Sequence, residues 1–270
     1  MEANDSERRR WNDDDWATHW PKREALTDAV TPYLLDALAL QPGEHVLDVG
    51  CGGGKATIAA ASRTGPGGRT VGADISAPLL SLASTRAGDA GVEVRFVPAD
   101  VQVDPIDGGG FDVAMSQFGV MFFDEPVTAF TNIRRHLRAD GRLGFACWQP
   151  LDANPWFIGP VVAPFASPPP PPAPGKNPTG PFALGDPDRV NAILTEAGFA
   201  HIERGAHRLD VDVPESSVVD DAQLRFMGVA EDAMPDARAA VAKLLARFDI
   251  GVGQRRFPLA FQIFTASGCP

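Results

Sequence analysis

The chain has 270 residues, 44% hydrophobic and 22% charged, the make-up of an ordinary globular protein with one large domain or one domain and an added lobe. Its formal net charge of -11 argues against a nucleic-acid partner, because phosphates need a basic track and the sequence offers only Arg8-Arg9-Arg10 in a polar leader. Cys51, Cys147 and Cys269 have neither paired nor metal-ligand spacing, the N-terminus has no apolar signal core and no apolar run approaches membrane-spanning length, so a cytoplasmic protein without a membrane span or a metal is expected.

In chain order, Asp13-Asp14-Asp15 offers capping chemistry for a helix over 16–20. Leu26, Ala29, Val30, Leu34, Ala37 and Leu38 then fall at helical spacing and predict one helix over 24–40. Residues 1–41 thus read as an N-terminal helical cap. Strands are expected at 46–49, 69–74, 92–97, 111–116 and 141–148, with a helix over 56–61. Strands alternating with helical segments imply an α/β core with a parallel sheet covered on both faces, here over 42–149. Residues 150–184 are a proline-rich insertion in which Pro168 to Pro172 force an extended polyproline segment. Asp186 can cap a helix that carries Pro187 in its first turn, runs to Glu196 and ends at Gly198. Strands over 200–213 and 257–266 follow, so that 185–214 and 251–270 complete the core sheet. Between them 215–250 is a helical insertion, which with 150–184 is expected to form a lid or substrate lobe.

The strand over 46–49 ends in Asp48-Val49-Gly50-Cys51-Gly52-Gly53-Gly54, where glycines permit positive φ and close approach of a ligand to the backbone. Two stricter glycine loops fail on spacing. A dinucleotide fingerprint needs glycine or alanine where Lys55 or Thr57 stands, and a phosphate loop needs glycine at Val49 and a hydroxyl residue at Ala56. The remaining D-x-G-x-G-x-G pattern resembles motif I of the class I S-adenosylmethionine (SAM)-dependent methyltransferases. Asp74, about 20 residues further on at a strand end, has the offset of a carboxylate that grips ribose hydroxyls. Phe182-Ala183-Leu184-Gly185-Asp186-Pro187 and Ala197-Gly198-Phe199 resemble small-molecule members close to the ubiquinone and menaquinone C-methyltransferases.

The resemblance implies a Rossmann-like, doubly wound, seven-stranded sheet, mostly parallel with an antiparallel last strand. It implies SAM as cofactor, S-adenosylhomocysteine as product, and a small-molecule methyl acceptor. Asp48, Gly50, Cys51, Gly52, Asp74, Ile75, Asp100, Val101 and Ser116 are its expected cofactor residues. Asp48 is expected to organise the loop amides and Asp100 to face the adenine amino group. Cys51 has no neighbouring His or acid and reads as a small filler rather than a nucleophile.

The sulfonium already activates the methyl group, so the enzyme has chiefly to hold the acceptor in line and exclude water. Of the candidates His19, His136, His201 and His207, the last three fall on or near covered elements, which leaves His19 as the candidate general base among them. Gln117 follows the fourth strand as a polar orienting group. Trp11, Trp16, Trp20, Phe118, Phe122, Phe123, Trp148 and Trp156 favour a hydrophobic or aromatic acceptor, methylated on oxygen or carbon. A SAM-binding module without chemistry and an NAD-type oxidoreductase are the competing readings.

Overall fold

The structure, a computed structural model, describes residues 4–12, 14–167, 177, 179–217 and 219–268, and for residues 5, 6 and 14–17 the backbone alone. Its central sheet runs in the order β3-β2-β1-β4-β5-β8-β6. The strands are β1 (His45–Val49), β2 (Arg69–Asp74), β3 (Arg95–Pro98), β4 (Phe111–Gln117), β5 (Leu137–Trp148), β6 (Phe199–Pro214) and β8 (Gln254–Gly268). β1 to β5 pair in parallel, while β8 lies antiparallel between β5 and β6. The seven-stranded, mostly parallel α/β sheet with an antiparallel last strand is therefore present. A further short strand, β7 (Asp249–Gly251), pairs with the start of β8.

The helices are α1 (Asp5–Trp11), α2 (Asp14–Glu24), α3 (Thr31–Leu38), α4 (Lys55–Thr64), α5 (Ala77–Asp89), α6 (Pro126–His136), α7 (Gly159–Val162), α8 (Pro187–Glu196), α9 (Asp221–Phe226) and α10 (Met234–Leu245). α3, α4 and α5 pack side by side against the β-strands, and α6 pairs with α8 against β5 and β6. Burial of the continuous apolar strands explains why both faces need helices. Phe145 of β5 is fully buried with its ring 5.3 Å from Phe130 of α6 and 5.5 Å from Phe264 of β8. The Asp186 side chain caps α8 by accepting from the Asp188 N–H at 3.0 Å, with Pro187 in the first turn.

Three boundaries differ from the sequence reading. The single helix expected over 24–40 is broken: α2 ends at Glu24, a 3-10 turn covers Asp28–Val30 and α3 starts at Thr31. Pro32 is the cause, since a proline in mid-helix lacks the N–H that would bond residue 28 but is tolerated in a first turn. The third strand begins at Arg95 rather than 92, because the Val92 N–H closes the end of α5 on the Ala87 carbonyl at 3.0 Å. β5 begins four residues before the expected Gly141, at Leu137, which pairs with Phe111. The Pro168 to Pro172 segment lies outside the described residues.

No helix among the described residues is long and apolar enough to cross a membrane. Strand order reverses between β2-β1 and β4-β5, and α1 and α2 lie above the carboxyl ends of these strands. In open α/β sheets such a switch point opens a crevice for ligands.

Candidate active site

The crevice is a cavity of about 320 Å³ whose floor is the β1–α4 glycine loop. Gly50, Gly52 and Gly54 all have positive φ, at 67°, 52° and 81°. Space is as restrictive as conformation: a Cβ on Gly50 would stand 2.9 Å from the Gly119 Cα, and one on Gly52 2.9 Å from the Trp20 ring. The loop thus lies closely between the β4 turn below and α2 above. Its Gly50 and Cys51 N–H groups donate to the Ala73 carbonyl at 2.8 and 3.1 Å, which ties β1 to the end of β2.

Asp48 lines the cavity but does not bond the loop amides as expected. Its Oδ2 accepts from the Thr57 hydroxyl of α4 at 2.6 Å, and its buried Oδ1 has no hydrogen-bond partner among the described residues. Burial, with the nearby Asp74 charge, pushes this carboxyl up to about 7 despite the Thr57 bond. The amide role belongs to Asp74, which accepts from Gly52 N–H and Ser76 N–H, each at 2.8 Å. A carboxylate has about four lone-pair sites, so two amides leave capacity for a diol. Burial raises the Asp74 carboxyl while the amide bonds oppose the shift.

Asp100 follows β3 and is 1% exposed. Its Oδ1 accepts from Asn4 Nδ2 at 3.1 Å and from the Gln102 N–H at 3.0 Å, whereas Oδ2 is buried without a hydrogen-bond donor, the Arg8 guanidinium standing 3.9 Å away. Burial raises this carboxyl too. Ile75 and Val101 line the cavity beside the two acids. The Ile75 carbonyl accepts from Asn12 Nδ2 at 2.9 Å, which fixes the α1 segment over the β2 end. Cys51 lines the cavity as a buried thiol pushed well above its ordinary range by burial, unsuited to nucleophilic work.

Two expected residues have other places. Ser116 does not line the cavity: buried, it donates to the Val49 carbonyl at 2.7 Å and accepts from the Gly119 N–H at 3.2 Å, bracing the loop from beneath. His19 does not line it either. Its Nε2 lies 3.9 Å from Asp220 Oδ2 in a separate surface recess. Trp20 and Glu24, four residues apart on α2, line the cavity, while His19, one turn before Arg23, is turned toward Asp220 at the start of α9. Gln117 does line it, with its carbonyl accepting from the Thr31 hydroxyl at 2.9 Å and its amide donating to the Thr27 carbonyl at 3.2 Å.

Away from the acids the wall is aromatic. Phe118 stacks on Trp148 with centroids 4.2 Å apart and planes 18° apart, and Trp148 meets Trp156 edge to face. Phe118 holds this position with φ at 61°, a left-handed conformation that costs about 1–2 kcal/mol outside glycine. Trp11, Trp20, Phe122 and Phe123 also line the cavity, while the Trp16 side chain lies outside the described residues. The sequence reading missed the charges around Glu24, which binds Arg86 through both oxygens, at 2.5 and 3.0 Å, and Lys55 at 3.2 Å. Arg86 also donates to the Gly53 carbonyl at 2.8 Å, so this cluster ties α2, α4 and α5 to the loop. Only the i, i+4 pairing of Trp20 with Glu24 hinted at it.

Residues 46–141 match the protein family described as a methyltransferase domain. The chain is 30% identical over 234 residues to nocamycin O-methyltransferase of Saccharothrix syringae, covering 79% of this chain and 80% of that one. In fold it is similar to a SAM-dependent methyltransferase from Aquifex aeolicus, with a TM-score of 0.52, 16% identity and 97% of each chain covered. It is also similar to geranyl diphosphate C-methyltransferase from Streptomyces coelicolor, solved with S-adenosyl-L-homocysteine, with a TM-score of 0.51, 18% identity and 90% and 81% covered. The glycine cradle, the acids at the ends of β2 and β3 and these likenesses agree: the chain belongs to the class I SAM-dependent methyltransferases, enzymes that take S-adenosylmethionine as cofactor.

Proposed function

We propose that this chain methylates a small, hydrophobic or aromatic metabolite, on oxygen in the first instance, by holding it in line with the cofactor. The observation that carries this reading is the continuity of one cavity from Asp74 and the buried Asp100 to the aromatic wall of Phe118, Trp148 and Trp156. The likeness to nocamycin O-methyltransferase favours oxygen over carbon.

Within that reading the glycine loop cradles the amino-acid end of the cofactor, Asp74 receives the ribose hydroxyls and Asp100 Oδ2, buried and without a donor, receives the adenine amino group. Ile75 and Val101 flank the adenine. The bound sulfonium supplies an activated methyl group. The chain's own contribution is position and dryness, since well-oriented reactants gain about 7–11 kcal/mol of barrier lowering from proximity. Gln117, held by Thr31 and Thr27, orients the reactants rather than moving a proton. The described residues of 1–41 form a cap over the cofactor end, and those of 150–184 and 215–250 that line the cavity, among them Trp156, Phe157, Pro181 and Gln223, form the lobe at the acceptor end.

Calorimetry with SAM, S-adenosylhomocysteine and NAD tests the cofactor assignment, and labelled methyl transfer to a library of aromatic and polyketide-like acceptors tests the reaction. Binding of NAD in preference to the adenosyl compounds would overturn the reading. Binding of SAM with no acceptor labelled would favour a module without chemistry.

A further inference from the structure

Of the carboxylates lining the cavity among the described residues, those outside the cofactor end are already engaged. Glu24 is held by Arg86 and Lys55, Asp28 by Lys55 at 2.7 Å, and Glu7 by the Trp11 indole N–H at 2.9 Å and the Thr179 hydroxyl at 2.8 Å. Asp48, Asp74 and Asp100 belong to the cofactor end. No histidine lines the cavity among the described residues, and Cys51 is a buried thiol. A general base must reach the proton it removes, and a carboxylate locked in a salt bridge is a weak one. A neutral phenol or alcohol would therefore find no group to deprotonate it.

Two cations line the cavity among the described residues, Lys55 and Arg23. Lys55 is committed to Glu24 and Asp28. Arg23, with a side chain 11% exposed, reaches from α2 to α9, where it donates to Asp220 Oδ1 at 2.9 Å and to the Gln223 carboxamide oxygen. Asp220 also faces His19 at 3.9 Å and balances the guanidinium charge. The Gln223 partner is neutral and itself lines the cavity, so an anionic oxygen can take its place with a charge-assisted bond about twice as strong. The remaining wall is the apolar surface of Phe118, Trp148 and Trp156, suited to a flat body.

We propose that the methyl acceptor is a flat organic anion, a carboxylate or an acidic enol, whose charged oxygen is received by Arg23; this rests on the methyltransferase reading above. The acceptor oxygen gives its lone pair to form the O–CH3 bond, the carbon–sulfur bond breaks with its electron pair going to sulfur, and no proton has to leave. Anion and sulfonium neutralise each other, which is why no base is required.

The test uses the whole chain saturated with S-adenosylhomocysteine and titrated calorimetrically with naphthoate and naphthamide, probes matched in shape and different in charge. Naphthoate is expected to bind at least about ten-fold more tightly, and Arg23→Gln to bring the two together while S-adenosylhomocysteine affinity stays within about two-fold. Equal affinities in the wild type, a preference for naphthamide, or no binding of naphthoate overturns the proposal without any variant. A loss of about ten-fold in S-adenosylhomocysteine affinity in Arg23→Gln, with methylthioadenosine unaffected, assigns Arg23 to the cofactor's own carboxylate and overturns it as well. Failure of S-adenosylhomocysteine to bind the wild type is a separate result, which sinks the methyltransferase reading itself and this proposal with it.

Discussion

Replacing Asp48 by Asn should make the protein more stable at alkaline pH, although the residue sits in the middle of the cofactor loop. In the unfolded chain Asp48 ionises near its ordinary value of 3.8, whereas in the fold it keeps its proton up to about 7. Between those values the unfolded state releases a proton that the folded state retains, so stability falls as pH rises and levels off above about 7. At about 1.4 kcal/mol per pH unit the full effect is at most about 4 kcal/mol, an upper bound because a buried site relaxes and admits water. Asn keeps an acceptor for the Thr57 hydroxyl and removes the titration. Urea unfolding of both proteins from about pH 4 to about pH 8 measures the difference. Asp74 and Asp100, raised by burial as well, leave a residual slope of the same sign in the variant. Glu44, shifted down from 4.5, adds a slope of the opposite sign that is confined to the acid end of this window, below about pH 5.5, and is common to both proteins. Parallel curves for wild type and Asp48→Asn, or a wild-type stability that rises with pH above about 5.5, would refute the reasoning.

Other perturbations separate cradle, wall and surface. Asp74→Ala should cost about 1.5–3 kcal/mol of S-adenosylhomocysteine affinity by calorimetry, for the loss of charged hydrogen bonds; unchanged affinity removes Asp74 from the site. Gly50→Ala, at a φ of 67° and against the Gly119 backbone, should lower stability by more than about 1–2 kcal/mol in thermal unfolding. Phe118→Gly relieves a strained φ worth about 1–2 kcal/mol but loses the ring stack, worth about 0.5–1.5 kcal/mol, and in addition the packing of the side chain on the core, so it should lower the unfolding free energy and weaken the binding of aromatic acceptors. His19→Ala should leave methyl transfer within about two-fold of wild type, since the ring faces Asp220 outside the cavity.

What the sequence made legible follows from where information is local. The glycine loop, the acids ending β2 and β3, and the Asp186-Pro187 start of α8 are each written within a few residues, through φ preference, strand periodicity or capping. The break at Pro32 was equally local, but the apolar spacing over 24–40 outweighed a single proline. Long-range placement was not legible. Nothing near Asn4 announces a bond to a carboxylate 96 positions away, and nothing near Arg86 announces Glu24. Ser116 is expected from the family resemblance and His19 from setting aside His136, His201 and His207, and neither argument carries a direction for the side chain. Which way a residue points at a strand end or on a helix is decided by packing, and packing turned Ser116 beneath the loop and His19 toward α9. Phe118 entered through its neighbourhood of aromatics, yet its left-handed backbone, which sets the ring on Trp148, is a property of the folded turn alone.

The most direct test of the account is a crystal structure with S-adenosylhomocysteine bound. The account predicts the ribose hydroxyls on the Asp74 carboxylate, the adenine amino group on Asp100 and the sulfur facing the wall of Phe118 and Trp148. An adenosyl group bound elsewhere, or bound here with Asp74 and Asp100 out of hydrogen-bond reach, would contradict it.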